Sequence, residues 1–416
     1  MKLFYILFTC LISAGALSAQ THISKQWVST YSSADSLLDT PTAIDVNGNV
    51  YVAGFSVTNT TSCDFTILKY DINGNLLWTR NYNGTANGCD QVAAITVDAA
   101  MNVYVTGRGA ETGTGNDYVT LKYNAAGTLL WTSKYNGFGT GSDSPAGIAV
   151  DASGNVYVTG SSRGSITFND YATVKYNSAG VQQWAARYDA AGVSDNAIGI
   201  VVSNNGRVFV TGNSSNGTSF NIVTLRYNPM SGAAIWTNTY NGTFNGQDLA
   251  NDIAVNTGGT EVFVAGQEEN PSNGSDYVTL KINGNNGSQQ WKMNYDGGNQ
   301  GDYATALGLD NSNNVIVTGA SIRVGGILEY HTVKYNNSGV QQWARVFDTA
   351  GDVNGVFGGD IVSFTNKMTI DFTNHIYILG HKFNGNNYDF VIVRYSPLGT
   401  EQWNVTHNSN TGITDL

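Results

Sequence analysis

The chain is poor in charge, in histidine and in cysteine, and each scarcity removes a class of protein. Asp, Glu, Lys and Arg make up 12% of its 416 residues, about half the roughly 25% usual in a soluble domain, which argues against coiled coils and ordinary helical bundles. The charge that is present is mostly acidic: 31 acids against 20 bases give a formal net charge of −11. Neither nucleic acid nor an anionic membrane suits such a surface. The five histidines, His22, His331, His375, His381 and His407, form no His-Glu-x-x-His motif, and the three cysteines form no Cys-x-x-Cys. No metal centre, cofactor motif or catalytic residue is therefore assigned. No segment matches a full twelve-residue acidic calcium loop, so calcium stays open only through the acids discussed below. Beyond residue 17 nothing approaches the 18 or more consecutive apolar residues of a membrane helix, and no membrane span is expected.

The N-terminus has the layout of a secretory signal peptide. Lys2 precedes an apolar stretch over 3–17, and Ala16-Leu17-Ser18-Ala19 supplies the small residues of a cleavage site before Gln20. Residues 1–19 are read as the signal and 20–416 as one mature domain, secreted to the periplasm, the cell surface or the medium. Cys10 leaves with the signal. Cys63 and Cys89 remain, an even pair in an oxidising compartment, for which one disulfide is the default and two free thiols the alternative.

What the sequence has in abundance is repetition. All eight tryptophans fall in one phase, Trp27, Trp78, Trp131, Trp184, Trp236, Trp291, Trp343 and Trp403, spaced by 51 to 60 residues, a period near that of propeller blades. A glycine stands four before seven of them, from Gly74 to Gly399, and an aromatic four after, from Tyr31 to Phe347, with His407 in the last place. Val-Tyr-Val-Thr-Gly at 103–107 and 156–160 has variants ending at Gly54, Gly212, Gly266, Gly319 and Gly380. Asp-Tyr-Val-Thr-Leu-Lys-Tyr at 117–123 recurs from Asp64, Asp170, Asn221, Asp276, Glu329 and Asp389.

The segments between glycines are short, rich in Val, Ile, Thr, Tyr and Phe, and bounded by Asn, Asp, Ser and Gly, which is strand-and-turn chemistry. In the second unit the strands are expected at 95–97, 103–106, 118–123 and 128–135. Apolar residues occur on both faces of the inner strands, so one meander cannot bury itself, and packing sheet on sheet in a ring solves the problem. The expected fold is all-β, a seven-bladed β-propeller of four-stranded antiparallel blades, monomeric, with an open solenoid as the lesser alternative. The three motifs together resemble the bacterial β-propeller repeat family SBBP over residues 27–403. The resemblance implies a secreted or surface scaffold and no common reaction. Gly-x-x-x-Trp is also similar to the docking motif of quinone-dependent dehydrogenase propellers, although blade-to-blade packing is the simpler reading of these residues. Seven inner sets meet eight tryptophan strands, so the strand over 26–31 is expected to dock near blade seven and fasten the ring.

Two sets of acids are expected on one face of the ring. Asp39, Asp90, Asp143, Asp195, Asp248 and Asp302 precede the first strand in six of the seven units, the seventh lacking it; Asp64, Asp117, Asp170, Asp276, Glu329 and Asp389 open the third strand in six. Either they form an acidic funnel that concentrates cations or a basic partner, or each caps its own turn by accepting backbone N–H groups. Unit seven departs from the repeat: Trp343 to Gly380 spans 37 residues where the other units span 27 to 30. This insertion over 348–367, with Asp352, Phe357, Asp360 and Phe364, is the candidate binding loop. The function expected is recognition of a protein or glycan partner at the envelope or beyond. The rival class is a polysaccharide hydrolase or lyase using funnel carboxylates, because a pair of acids suffices for that chemistry.

Overall fold

The computed structural model describes residues 4–7, 28–31 and 41–407, apart from 57–61, 139, 165–167, 191–192, 273, 299, 324–326, 349–366 and 384–387. It is an all-β ring of seven four-stranded antiparallel sheets, each built from one contiguous stretch of chain and ordered from its first strand to its fourth. In the third blade the strands are Asp143–Val150, Val156–Arg163, Asn169–Tyr176 and Gln182–Tyr188. Those of the fourth are Asp195–Val202, Val208–Ser215, Phe220–Tyr227 and Ala234–Tyr240. The second and third strands are buried almost throughout, as in the run Val156 to Gly160, while the fourth lies at the outer edge with Leu129, Leu130 and Ile235 about half exposed. Strand lengths exceed expectation in the second blade, where Val103–Glu111 and Gly115–Tyr123 pair as far as Glu111 opposite Gly115.

The lower turns explain the Val-Tyr motif. Asp151 begins the turn between first and second strands and accepts the backbone N–H groups of Ser153 and Asn155, the Asn155 amide and the Tyr157 hydroxyl at 2.8 to 3.1 Å. Asp45, Asp98 and Asp371 repeat the arrangement with Tyr51, Tyr104 and Tyr377. Burial works to raise the Asp45 carboxyl, but donors from Asn49, Tyr51 and Asn47 outweigh it and hold the group below its ordinary value. Where the aspartate is lost the hydroxyl goes too: Ser203 is followed by Phe209 and Asn256 by Phe263, which avoids a buried hydroxyl without its acceptor.

The seams between blades explain the other two motifs. The indole Nε1 of Trp184 and the Nζ of Lys175 both donate to Pro229 O of the next blade, at 3.1 and 2.7 Å. Gly232 lies under the Trp184 ring, with φ +72° and a Cβ position 2.8 Å from Cδ2. Trp78, Trp131, Trp236, Trp291 and Trp343 make the same reach to Ala125, Ser178, Gly284, Asn337 and Pro397. At every one of these seams a Lys or Arg shares the acceptor. The tryptophans thus weld blade to blade.

Blade seven takes its outer strand from Glu401–His407. The strand expected to dock near blade seven is not part of that blade's sheet: Val28–Tyr31 pairs with Phe4–Leu7, within the segment expected to leave with the signal, as a separate two-stranded sheet. Trp27 lies outside the described residues. No helix among the described residues is long and apolar enough to cross a membrane.

Candidate functional site

The loops from fourth to first strand and from second to third emerge on the upper face, and here the blades cease to be alike. Five of the expected acids, Asp90, Asp143, Asp195, Asp248 and Asp302, are buried at 0–1% exposure. Each accepts a backbone N–H across the loop that leads into its strand, from Gly84, Gly137, Ala190, Gly242 and Gly297. They lie inside the blades and hold those loops closed; they do not line an open funnel. Burial raises Asp248 and Asp302 to about 6, although backbone donors act on both and Ser321 also acts on Asp302. The acids opening the third strands are likewise buried, at 3–7% for Asp64, Asp117, Asp170, Asp276, Glu329 and Asp389. Asp39 and the four insertion residues, Asp352, Phe357, Asp360 and Phe364, lie outside the described residues. Cys63 and Cys89 are joined on this face, with Cα atoms 4.4 Å apart.

One tyrosine per seam, at the end of the outer strand, marks an equivalent place in five successive junctions; it meets a lysine-paired glutamate in two of them and a different environment in each of the other three. Tyr82 donates to Glu111 at 2.8 Å, and Glu111 also pairs with Lys134. Tyr135 meets Arg187, whose guanidinium grips Asp170 at 2.6 Å and both Ser162 oxygens at 2.6 and 2.7 Å. Tyr188 is hydrogen-bonded to Ser214 and Thr239, and with them and Asn221 it lines a cavity of about 320 Å³. Tyr240 donates to Glu268, which Lys292 and Asn294 also bind. Burial would raise the Glu268 carboxyl, yet these donors outweigh it and bring it down to about 2. Tyr295 meets His331 Nδ1 at 2.9 Å, and the other ring nitrogen faces Glu329.

Two acidic groupings among the described residues have spacing that would suit a cation: Asp170, Asp189 and Asp195, and, further round the ring, Asp276, Asp296 and Asp302, each within 4.8 Å. In the first the Arg187 guanidinium already compensates Asp170. Exposed aromatic rings also stand on the upper loops, Phe138, Phe168 and Phe244, at 52 to 64% exposure. Sequence reasoning missed the cavity and the changing seam chemistry. The signal lay in comparing single positions between units, such as Arg187 with Thr239, after aligning each unit on its tyrosine.

Residues 133–166 match the profile of the family described as SBBP, beta-propeller repeat, in line with the resemblance of the motifs. A curated relative, an uncharacterised WD repeat-containing protein of Acanthamoeba polyphaga mimivirus, is 25% identical over 36% of this chain and 14% of its own length. The chain therefore spans a small part of that relative. Among solved structures, Sqt1 of Chaetomium thermophilum bound to the N-terminus of ribosomal protein L10 is similar, with a TM-score of 0.56, 11% identity and coverage of 90% of this chain and 88% of that one. Quinohemoprotein alcohol dehydrogenase ADHIIG of Pseudomonas putida follows at 0.52 and 10% identity, covering 89% of this chain and 67% of its own. At these identities the likeness is one of fold.

Proposed function

We propose that the chain is an exported binding module whose rigid ring presents its upper face to a protein or glycan partner at the cell envelope or outside the cell. The observation that carries this reading is the divergence of the five tyrosine seams, where equivalent positions hold a carboxylate, a guanidinium, a cavity, a second carboxylate and an imidazole. The lower seams keep one design throughout. A ring that served only as a spacer has no use for four different chemistries on one face, whereas recognition places varied groups on a stiff frame. Exposed Phe138, Phe168 and Phe244 supply amphipathic contact area suited to sugar rings or protein side chains. The disulfide fits an oxidising compartment, and a propeller of like fold, Sqt1, holds a protein segment. The reading requires no cofactor and no catalytic residue. The hydrolase or lyase alternative draws little support from these acids, since five of the repeated carboxylates are buried and each holds a backbone N–H of its own loop.

The test is capture from envelope and culture fractions, together with a glycan array. Wild type is compared with an upper-face variant, Phe138→Ala with Phe168→Ala and Phe244→Ala, and a lower-face control, Met230→Ala with Leu398→Ala. The expected result is a ligand lost by the first variant and kept by the second, with both circular dichroism spectra unchanged. Loss in the lower-face control alone would overturn the reading, and so would recovery of the uncleaved chain in the cytosol.

A further inference from the structure

The third and fourth blades align strand for strand, so the cavity beside Tyr188 has an internal template. Arg187 lies opposite Ala172 in the third blade, as Thr239 lies opposite Val223 in the fourth. Ser162 faces Asp143 and Asp170; one blade on, Ser214 faces Asp195 and Asn221 in the same register. In the third blade the Arg187 guanidinium fills this place, bound by Ser162 Oγ and O, by Asp170 and, at 3.4 Å, by the Tyr135 hydroxyl. The counterparts of all three residues one seam on, Ser214 and Asn221 of the fourth blade and Tyr188 of the third, line the cavity of about 320 Å³, as does Thr239 at the position of Arg187. The fold has kept the serine and the tyrosine of this frame, which here are hydrogen-bonded to each other, to Thr239 and to Asp195; it has replaced the carboxylate by Asn221 and removed the side chain that supplied the guanidinium.

We propose that this cavity receives the guanidinium of an arginine side chain from a protein partner. The volume lies at the lower end of the range for ligand pockets. The lining offers side-chain oxygens of Ser214, Ser215, Asn216, Asn221 and Thr239, and a guanidinium, with its five fixed donors, can engage more of them at once than an ammonium. Ala190 and Val193 line one side of the cavity, and the same stretch of chain carries Asp189 and Asp195; Asp170, which groups with them, is already paired with Arg187. Substitution of Asn221 for the aspartate of the template leaves the cavity without a carboxylate at that corner, so the guest is held more weakly than Arg187 and can leave. Thr239 and Asn216 are exposed, which gives an incoming side chain an open path.

The inference deepens the recognition reading and rests on it for the source of the arginine, but its test is independent of any captured partner. The full chain is titrated by calorimetry with N-acetyl-arginine amide, and with the lysine and citrulline equivalents. The arginine probe is expected to bind at least ten-fold tighter than the lysine probe, with no binding by citrulline. Asn221→Asp, which restores the corner carboxylate, should tighten binding about five- to ten-fold, the difference between a neutral and a charge-assisted hydrogen bond. Thr239→Arg, which lets the chain fill its own cavity, should abolish binding while leaving the circular dichroism spectrum unchanged. If Thr239→Arg perturbs the fold, Asn221→Leu serves as the blocking variant. Absence of arginine binding, or binding indifferent to both Asn221→Asp and the blocking variant, overturns the proposal. Binding of free arginine with none of the blocked probe overturns the assignment to a protein side chain. Arginine binding combined with a failed capture experiment would uphold the subsite and discard the broader reading.

Discussion

Two glycines of the fourth blade separate the conformational from the packing cost of the welds. Gly206 has φ +77° and nothing within 4 Å of its Cβ position; Gly232 has φ +72°, and its Cβ would stand 2.8 Å from Trp184 Cδ2. Replacing either by alanine forces a side chain into the left-handed region, at about 1–2 kcal/mol. At Gly206 that is the whole cost. At Gly232 the added methyl also pushes Trp184, 8% exposed, off its seat. The displaced indole loses its 3.1 Å bond to Pro229 O, about 1 kcal/mol, and its contact with Tyr227 at 6.2 Å, about another 1 kcal/mol. Gly232→Ala should therefore cost roughly 3–4 kcal/mol against about 1–2 for Gly206→Ala. Equilibrium urea unfolding followed by circular dichroism and tryptophan emission measures both, and an unchanged m value shows that the midpoints are comparable. Equal losses in the two variants would refute the claim that the indole seat, and not the turn alone, is what the glycine serves.

Stability should rise on mild acidification. Burial lifts Asp248, Asp252 and Asp302 from 3.8 to about 6, so between those values the native state binds more protons than the unfolded chain. The gain is fully present below the unfolded value and is lost as pH climbs through about 6. A two-unit shift corresponds to roughly 3 kcal/mol for one group, and the melting temperature at pH 5 is expected to exceed that at pH 7.5; a flat or opposite profile refutes it. Separately, Cys63→Ser with Cys89→Ser opens a loop with a sequence separation of 26, for which chain entropy gives about 3.5 kcal/mol. Thermal unfolding under reducing conditions should lower wild type to the level of the double variant, and a variant as stable as the oxidised protein would contradict it.

The ring was legible because seven copies of one pattern leave little freedom: tryptophan phase, glycine offset and strand alphabet agree at every unit. Strand ends were less so, since the second and third strands of the second blade continue to Glu111 and Gly115 through residues that carry no strand signal of their own. The acids illustrate a harder limit. Aspartate serves an open acidic rim and a buried loop cap alike, and only the backbone path shows that Asp143 and Asp195 accept N–H groups from inside the blade. The cavity was invisible for a different reason. It is a property of an absence at Thr239 relative to Arg187, and such a difference acquires meaning only after register places both opposite equivalent partners.

The welds also give the ring a direction in time. Six indoles, from Trp78 to Trp343, reach forward, each from its own blade to a turn 45 to 54 residues further along the chain. As a polypeptide is made from its N-terminus, each finished blade waits with its tryptophan unseated until the next one folds against it, and that arrival completes one seam and opens another. Assembly of this kind proceeds as a relay of local steps with low entropic cost, until the last step joins residues more than 300 positions apart and bears the loop-closure penalty alone. Trp403 stands at that final junction, and among the described residues its buried Nε1 has no hydrogen-bond partner, so the last seam is closed without the indole bond that marks the six before it.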